Sequence, residues 1–298
     1  MKKILVTGGH GFLGRAVVRE LRVRGYRDVL SPGHDELDLL SVPQVSGYFL
    51  AEQPDTVIHC AGRVGGISAN VAKPADFMHD NLLMGLNVLK ACARYEVEKL
   101  CIIGTSCSYP AGASCPINES EMFTGLPAKA TGHYGVAKST LFMAADAYRK
   151  QYKLKSILLV PTNLYGPWDK SSHVVPDLVR KFCRQPKAVE IWGTGRATRD
   201  FLYITDAAQG IVTACENPGL PTVPINLGSG VETPISELAD RIRRLSGSEA
   251  EIVWAHSEPE GQLRRVLDIE RAKNWLGWNP PTLLEDGLRA TIHAFKHS

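Results

Sequence analysis

Tyr134 and Lys138, in the run Tyr134-Gly135-Val136-Ala137-Lys138, fall on one face of a helix and bring a phenol beside an ammonium. The ammonium lowers the phenol's pKa towards working pH, so the tyrosine can exchange a proton with a sugar or alcohol oxygen. Taken alone, the pair also fits ordinary surface residues. Thr105 sharpens it, because it follows the apolar run ending in Ile103-Gly104. That is the C-terminal end of a strand, where ligands of doubly wound sheets bind. Its hydroxyl can share a substrate oxygen with Tyr134.

A second pattern opens the chain. In Gly8-Gly9-His10-Gly11-Phe12-Leu13-Gly14, Gly8, Gly11 and Gly14 are spaced by three where a strand feeds a helix. Missing side chains let the backbone approach a pyrophosphate, whose charge the helix N-terminus stabilises. Dinucleotide contacts are expected from Gly8, Gly11, Phe12, Leu13 and Gly14. An acidic residue that holds an NAD ribose belongs about 20 residues further on. There Ser31-Pro32-Gly33-His34-Asp35-Glu36 offers no arginine, leaving NAD and NADP both open. Asp38-Leu39 fits an adenine contact and equally a turn before a helix.

These residues need a scaffold, and the periodicity predicts one. Lys3 to Val6 reads as a strand, and Leu13, Val17 and Leu21 recur at helical spacing until Gly25. The alternation repeats: Val29-Leu30 and a helix near 43–52, Thr56 to Cys60 and a helix near 74–95. Leu100 to Ile103 and Ile157 to Val160 are two more strands, separated by a helix over 134–152. This predicts an α/β fold, a Rossmann-type doubly wound parallel sheet covered on both faces.

After Val160 the rhythm changes, with short strands at 189–192 and 201–204 and helices near Asp206, Thr233-Pro234 and Ile269. The expected organisation is a dinucleotide-binding domain over 1–166 and a smaller α/β substrate domain over 167–298. A return of residues 200–228, Ile225-Asn226-Leu227 above all, to the first sheet is left open. Trp275 and Trp278 are expected in the core.

Composition narrows the function classes. With 298 residues, 44% hydrophobic and 22% charged, the chain is an ordinary globule with enough length for a full core, which excludes disorder and collagen. A net charge of +3 gives no field strong enough for nucleic acid or a membrane surface. Seven scattered cysteines without a CxxC pair predict neither a disulfide framework nor a metal site, and fit a reduced, cytoplasmic protein. The first apolar run stops at Thr7-Gly8-Gly9, too short for a signal peptide, and no apolar stretch approaches a membrane span.

In this order the glycine turn, Thr105, the Tyr134 and Lys138 pair and the second half resemble the extended short-chain dehydrogenase/reductase family of NAD-dependent epimerases and dehydratases, over essentially the whole chain. Further runs are similar to its GDP-L-fucose synthase branch: Arg63-Val64-Gly65-Gly66-Ile67 with Asn70, Pro74-Ala75-Asp76-Phe77, and Gly104-Thr105-Ser106-Cys107-Ser108-Tyr109-Pro110. Pro161-Thr162-Asn163-Leu164-Tyr165-Gly166-Pro167 and Ser172-His173-Val174-Val175-Pro176 continue the match.

The resemblance implies 3,5-epimerisation of GDP-4-keto-6-deoxy-D-mannose and reduction at C4, by Thr105, Cys107, Tyr134, Lys138 and His173. Epimerising a carbon beside a ketone needs one group to remove an acidic C–H proton and another to return one from the opposite face. A thiolate and an imidazolium suit this, with reference pKa values of about 8.5 and 6.5. NADPH is the implied cofactor, with NAD possible, held also by Asp38, Leu39, Ala61, Gly62, Arg63, Asn81, Pro161, Asn163 and Leu164. The implied GDP-sugar contacts are Asn163, His173, Val174, Lys181, Trp192, Arg199 and Arg265, the guanidinium forks gripping the diphosphate. A homodimer through the helices near 81–94 and 134–149 is implied as well.

The chain departs from that branch in places. Thr105 stands where serine is usual, Lys181 where arginine is usual, and the loop 168–172 is shorter. Arginines that would grip an NADP 2′-phosphate are replaced by His10, Pro32 and His34. A 4-ketoreductase, a 3,5-epimerase on another nucleotide sugar, and a non-catalytic dinucleotide-sensing regulator are the alternatives.

Overall fold

The computed structural model of the chain describes residues 2–255 and 262–297. β1 (Ile4–Thr7) runs into α1 (Phe12–Val23), and β2 (Val29–Leu30) into α2 (Val42–Glu52). β3 (Thr56–His59) is followed by α3 (Ile67–Ala72) and α4 (Pro74–Arg94). β4 (Lys99–Ile103) leads through a long loop to α5 (Gly132–Tyr152) and on to β5 (Lys155–Pro161). Every residue of β1 and β3 is buried, because helices cover both faces of the sheet and leave no polar side to the strands.

The second half continues with β6 (Asn163–Tyr165), α6 (Val174–Cys183), β7 (Ala188–Trp192), β8 (Thr198–Arg199) and β9 (Phe201–Tyr203). Next come α7 (Ile204–Glu216), β10 (Pro224–Leu227), β11 (Thr233–Pro234), α8 (Ile235–Ser246) and β12 (Glu251–Ala255). β13 (Arg264–Arg265), α9 (Glu270–Leu276) and α10 (Leu284–Lys296) complete the chain.

The central sheet has the order β2-β1-β3-β4-β5-β10, all parallel. From β1 the chain steps outward to β2, then crosses to β3 on the other side of β1. That reversal opens a crevice at the C-terminal ends of β1 and β3, where the glycine turn lies. Residues 224–227 rejoin this sheet, Ile225 opposite Leu159 and Leu227 opposite Pro161. α7 packs on α1, and Arg24 reaches across to Glu216 at 2.6 Å and to the Thr213 hydroxyl at 3.0 Å.

One apolar layer, with Phe49, Leu89, Leu100 and Leu141, fills the space between the sheet and α2, α4 and α5. A second, with Val17, Leu21, Ile58 and Ile211, lies under α1 and α7. A third, with Phe182, Ile191, Leu238 and Ile242, unites α6, α8, α10 and the pair β7–β12.

The α/β expectation holds, and the structure adds elements the periodicity did not announce, α10 and β12 among them. β12 holds the apolar run Ile252-Val253-Trp254-Ala255 yet has no fully buried position, and so short a run does not by itself tell a strand from a buried helix. The tryptophans divide. Trp278 is buried, its indole N–H donating to the Asp206 carbonyl at 3.2 Å, whereas Trp275 is 40% exposed with the Arg271 guanidinium 5.0 Å from its ring. Gly277, in the left-handed region at φ +61°, turns the chain between them and sends only Trp278 inward.

Candidate active site

The glycine turn is shaped by contact as much as by conformation. Gly8 has φ +68°, and a Cβ there would lie 2.7 Å from the Ala61 Cα, while one on Gly14 would lie 2.1 Å from the Gly8 carbonyl oxygen. Gly11 caps α1 without a side chain, so the amides of its first turn stay available to an anion. Phe12 and Leu13 are half-buried in that turn.

Across the crevice the segment after β3 forms the other wall. Asn81, buried on α4, accepts from the Arg63 amide at 3.1 Å and donates to the Arg63 and Phe77 carbonyls at 3.0 and 2.7 Å. Gly62 sits between Asn81 and Lys138: a Cβ would lie 2.9 Å from Asn81 Oδ1 and 3.2 Å from Lys138 Nζ. That ammonium donates to the Ala61 carbonyl at 3.2 Å. Arg63 itself turns outward to Asp80 at 2.7 Å.

Thr105, Cys107 and Tyr134 meet where β4 ends. A short 3₁₀ turn, Ser106–Ser108, carries Cys107, whose amide donates to Thr105 Oγ1 at 3.2 Å. This turn lies directly on α5 because Gly135 has no side chain; a Cβ there would be 2.2 Å from the Cys107 carbonyl oxygen. Ser108 Oγ donates to the Gly135 carbonyl at 2.8 Å and fixes the contact. The glycine following Tyr134 thus lets the cysteine reach the tyrosine's helix. Tyr134 is buried, with the Phe77 ring edge-on at 6.2 Å, and Lys138 is buried one turn further along.

The electrostatics give each group a different state. Burial pushes the Cys107 thiol up, but the Arg265 guanidinium and hydrogen bonds from Thr105, Thr131 and Arg265 outweigh it, and the thiol ends below its ordinary value. Arg265 Nη1 donates to the sulfur at 3.2 Å. Burial and the neighbouring Cys107 push the Tyr134 phenol well up, against a smaller opposing hydrogen bond from Thr105. This corrects the expectation that Lys138 draws the phenol down: the low-dielectric surroundings dominate, and the phenol is held protonated. Lys138 is lowered to about 8 by burial. Beside it, His59 is lowered to about 3, by burial first and then by Lys138, so it stays neutral, its Nδ1 2.8 Å from the Thr7 hydroxyl.

His173 is the residue before α6 and makes no side-chain cap; its Nδ1 lies 2.8 Å from Ser171 Oγ. Its neighbour Ser172 packs on Gly66, where a Cβ would lie 3.1 Å from Ser172 Oγ, so the His173 loop borders the crevice wall. Val174 opens α6. Asn163 Nδ2 donates to the Asp200 carbonyl at 2.9 Å, just past Pro161, and Leu164 continues the same strand. Arg199 and Arg265 are cross-strand partners of β8 and β13, and Arg199 Nη1 donates to the Gln262 carbonyl at 2.7 Å.

Several other expected contacts already have partners on the protein. Lys181 pairs with Asp177 at 2.9 Å and donates to the Glu190 carbonyl. Asp38 accepts from the Leu40 amide at 2.9 Å, the turn geometry, while Leu39 is core. Arg264, the neighbour of Arg265 and not itself an expected contact, forks onto Glu232, both bonds 2.7 Å. Trp192 is 44% exposed at the end of β7. Glu260 and Gly261, in the run leading to Arg265, lie outside the described residues.

Three positioning residues carried no sequence signal. Thr131 places an otherwise unpartnered hydroxyl beside the Cys107 thiol. Gln262 Oε1 accepts from Arg265 Nε at 3.2 Å and Nη2 at 3.1 Å, aiming the fork. Asp200 is fully buried and its carboxylate accepts from Ser229 N and Oγ and from the Leu267 amide. It pins the strand carrying Arg199 to the strand carrying Arg265. Among the described residues no group of His, Cys, Asp or Glu is arranged to hold a metal, and no helix is long and apolar enough to cross a membrane.

The cradle formed by Gly8, Gly14 and Gly62, each a place a Cβ would fill, fits a dinucleotide lying from the start of α1 to Lys138. Comparison with known proteins agrees. Across its length the chain is 40% identical to a GDP-L-fucose synthase of Sinorhizobium fredii, covering 99% of this chain and 95% of that protein. A GDP-mannoheptose C4 reductase from Campylobacter jejuni, solved with NADP bound, superposes with a TM-score of 0.91 at 30% identity, covering 99% of this chain and 98% of that one. A GDP-L-fucose synthetase from Naegleria fowleri, also solved with NADP, gives 0.89 at 26% identity over 99% of this chain and 94% of that one. Residues 4–228 match the model of one family, and on these grounds the chain belongs to the NAD dependent epimerase/dehydratase family.

Proposed function

We propose that this chain is an NADPH-dependent epimerase-reductase that converts GDP-4-keto-6-deoxy-D-mannose, or a closely related GDP-sugar, to GDP-L-fucose or its counterpart. The observation that carries the reading is the group of half-buried Thr105 and Cys107 with buried Tyr134 on the floor of a dinucleotide crevice, with Arg265 on the thiol. The GDP-L-fucose synthase likeness over the full chain supports the substrate class, and NADP in the related structures supports the cofactor.

Cys107, drawn towards its thiolate, removes the acidic proton beside the C4 ketone, at C5 and at C3 in turn. His173 returns a proton from the opposite face. Thr105 hydrogen-bonds the developing enolate oxygen, an electrostatic role that is often the largest in such steps. The nicotinamide, when bound, supplies the hydride that reduces C4. Tyr134, kept protonated by its burial, gives its proton to the new O4 alkoxide. Lys138 and Asn163 hold the nicotinamide half, and the second unit, 167–298, holds the nucleotide sugar through Arg199, Trp192 and Lys181. The enzyme acts in the cytoplasm as a homodimer, packed through α4 and α5.

Incubation with GDP-4-keto-6-deoxy-D-mannose in D2O tests this by NMR, first without cofactor and then with NADPH. Deuterium at C3 and C5 followed by GDP-L-fucose is the expected result. Reduction without exchange would assign C4 reduction alone, and neither reaction would remove this substrate.

A further inference from the structure

Beside the glycine turn lies a cavity of about 570 Å³. Gly9, His10 and Ser31 line one side and Arg15, Arg19 and Arg22 the other. The three arginines stand on the exposed face of α1 at helical spacing. Among the described residues none of them has a carboxylate within ion-pair distance, although Arg24, one turn beyond Arg19, is held by both Glu20 and Glu216. Three uncompensated guanidiniums around one hollow favour an anion there.

The position of the hollow says which anion. Ser31 is the first residue after β2, the strand end at which this fold reads the 2′ position of the adenosine ribose. The glycine turn packs directly on it: a Cβ on Gly9 would lie 2.6 Å from the Ser31 Cβ. An acidic side chain that would hold a free 2′-hydroxyl is missing from Ser31-Pro32-Gly33. Glu36, further along, bends back to accept from the Gly33 amide at 3.1 Å. The His10 ring packs beside Gly33, its atoms 3.6 Å from where a Cβ would lie. His34, also in this loop, is 79% exposed with its Nδ1 3.9 Å from Asp38.

We propose that this cavity receives the 2′-phosphate of NADPH, with Arg15 and Arg19 selecting NADPH over NADH and His10 and Ser31 closing the pocket. The inference rests on the dinucleotide reading above. It relocates the basic grip from the loop after β2 to the outer face of α1, and it makes α1 serve both phosphate groups: its N-terminus the pyrophosphate, its flank the 2′-phosphate.

Dissociation constants for NADPH and NADH, measured by nicotinamide fluorescence on the purified full chain, test it for the wild type and for Arg15→Ala, Arg19→Ala, Arg15→Lys and the double alanine variant. The probes 2′,5′-ADP and 5′-ADP, measured by calorimetry, isolate the phosphate. Each alanine is expected to weaken NADPH and 2′,5′-ADP by about tenfold, the worth of one charge-assisted contact. NADH and 5′-ADP stay unchanged, and Arg15→Lys retains part of the preference. Thermal melts check that these exposed substitutions leave the fold intact. Equal losses for NADPH and NADH, or a preference that survives the double variant, would overturn the proposal. A wild type that binds NADH as tightly as NADPH overturns the pocket and leaves the dinucleotide reading standing; one that binds neither overturns both.

Discussion

The Arg265 guanidinium donates to the Cys107 thiol at 3.2 Å across 158 residues of sequence, with Gln262 and Thr131 arranged around the pair. A buried cation against a sulfur favours the thiolate, which is the form that abstracts a proton. The same guanidinium was expected to hold a diphosphate, and its fork has further donors for that task once substrate arrives.

Replacing Arg265 with glutamine should therefore raise the pH at which Cys107 becomes active. Because the cation favours the deprotonated thiol, losing it moves the rise of deuterium incorporation to more alkaline pH. At neutral pH incorporation falls on the order of tenfold. An exchange profile that keeps its pH midpoint while the KM for the GDP-sugar rises would reassign Arg265 to substrate binding alone.

Tyr134→Phe and Cys107→Ser should separate the two halves of the reaction. The first removes the proton donor to O4 and should lower reduction by about 10² to 10⁴, while C3 and C5 deuteration continues. The second should suppress deuteration and allow at most reduction. Full deuterium incorporation by Cys107→Ser would show that another group is the base.

Gly62→Ala should damage cofactor binding by crowding Lys138 and Asn81. The new Cβ would sit 2.9 Å from Asn81 Oδ1, which three hydrogen bonds hold in place, and 3.2 Å from Lys138 Nζ. Relief requires Lys138 to give up its position, at a cost of about 1–3 kcal/mol as for other overpacked sites. A lowered melting temperature together with weaker NADPH binding is the expected outcome; wild-type values for both would show that the wall yields freely.

Acid should destabilise the fold through His59. Its folded value near 3 lies below the ordinary 6.5, so between these pH values the unfolded chain binds a proton that the folded chain does not. Stability is complete above about 6.5 and is lost as pH falls towards 3, by on the order of 5 kcal/mol over the whole window. His59→Gln, which can keep a bond to Thr7, should shift the midpoint of acid unfolding to lower pH, as followed by circular dichroism.

The parallel sheet was legible because buried strands and amphipathic helices leave opposite periodicities, clearest in β1 with α1 and in β4 before α5. The glycine turn, Thr105 and Tyr134 with Lys138 could be read because their chemistry depends on local spacing. Thr131, Gln262 and Asp200 could not, since their roles arise from chain segments brought together only by folding. The reach of Lys181 to the Glu190 carbonyl was equally hidden, whereas the turn at Asp38 was one of the two readings its sequence allowed. β12 and α10 escaped for another reason: the run Ile252 to Ala255 is too short to tell strand from helix, and α10 buries only a partial face.

The return of β10 to the far edge of the sheet has a consequence for how the chain is made. β5 emerges with one side unpaired, and about sixty residues separate Pro161 from Pro224, several seconds of synthesis at 5–20 residues per second. Through that interval the nascent chain presents a bare apolar strand, a template for pairing with another copy. A fragment ending at Gly166 would carry that exposed strand permanently. Completion of the central sheet therefore waits until the chain has been made past Leu227, and a chain stopped before that point keeps an open edge.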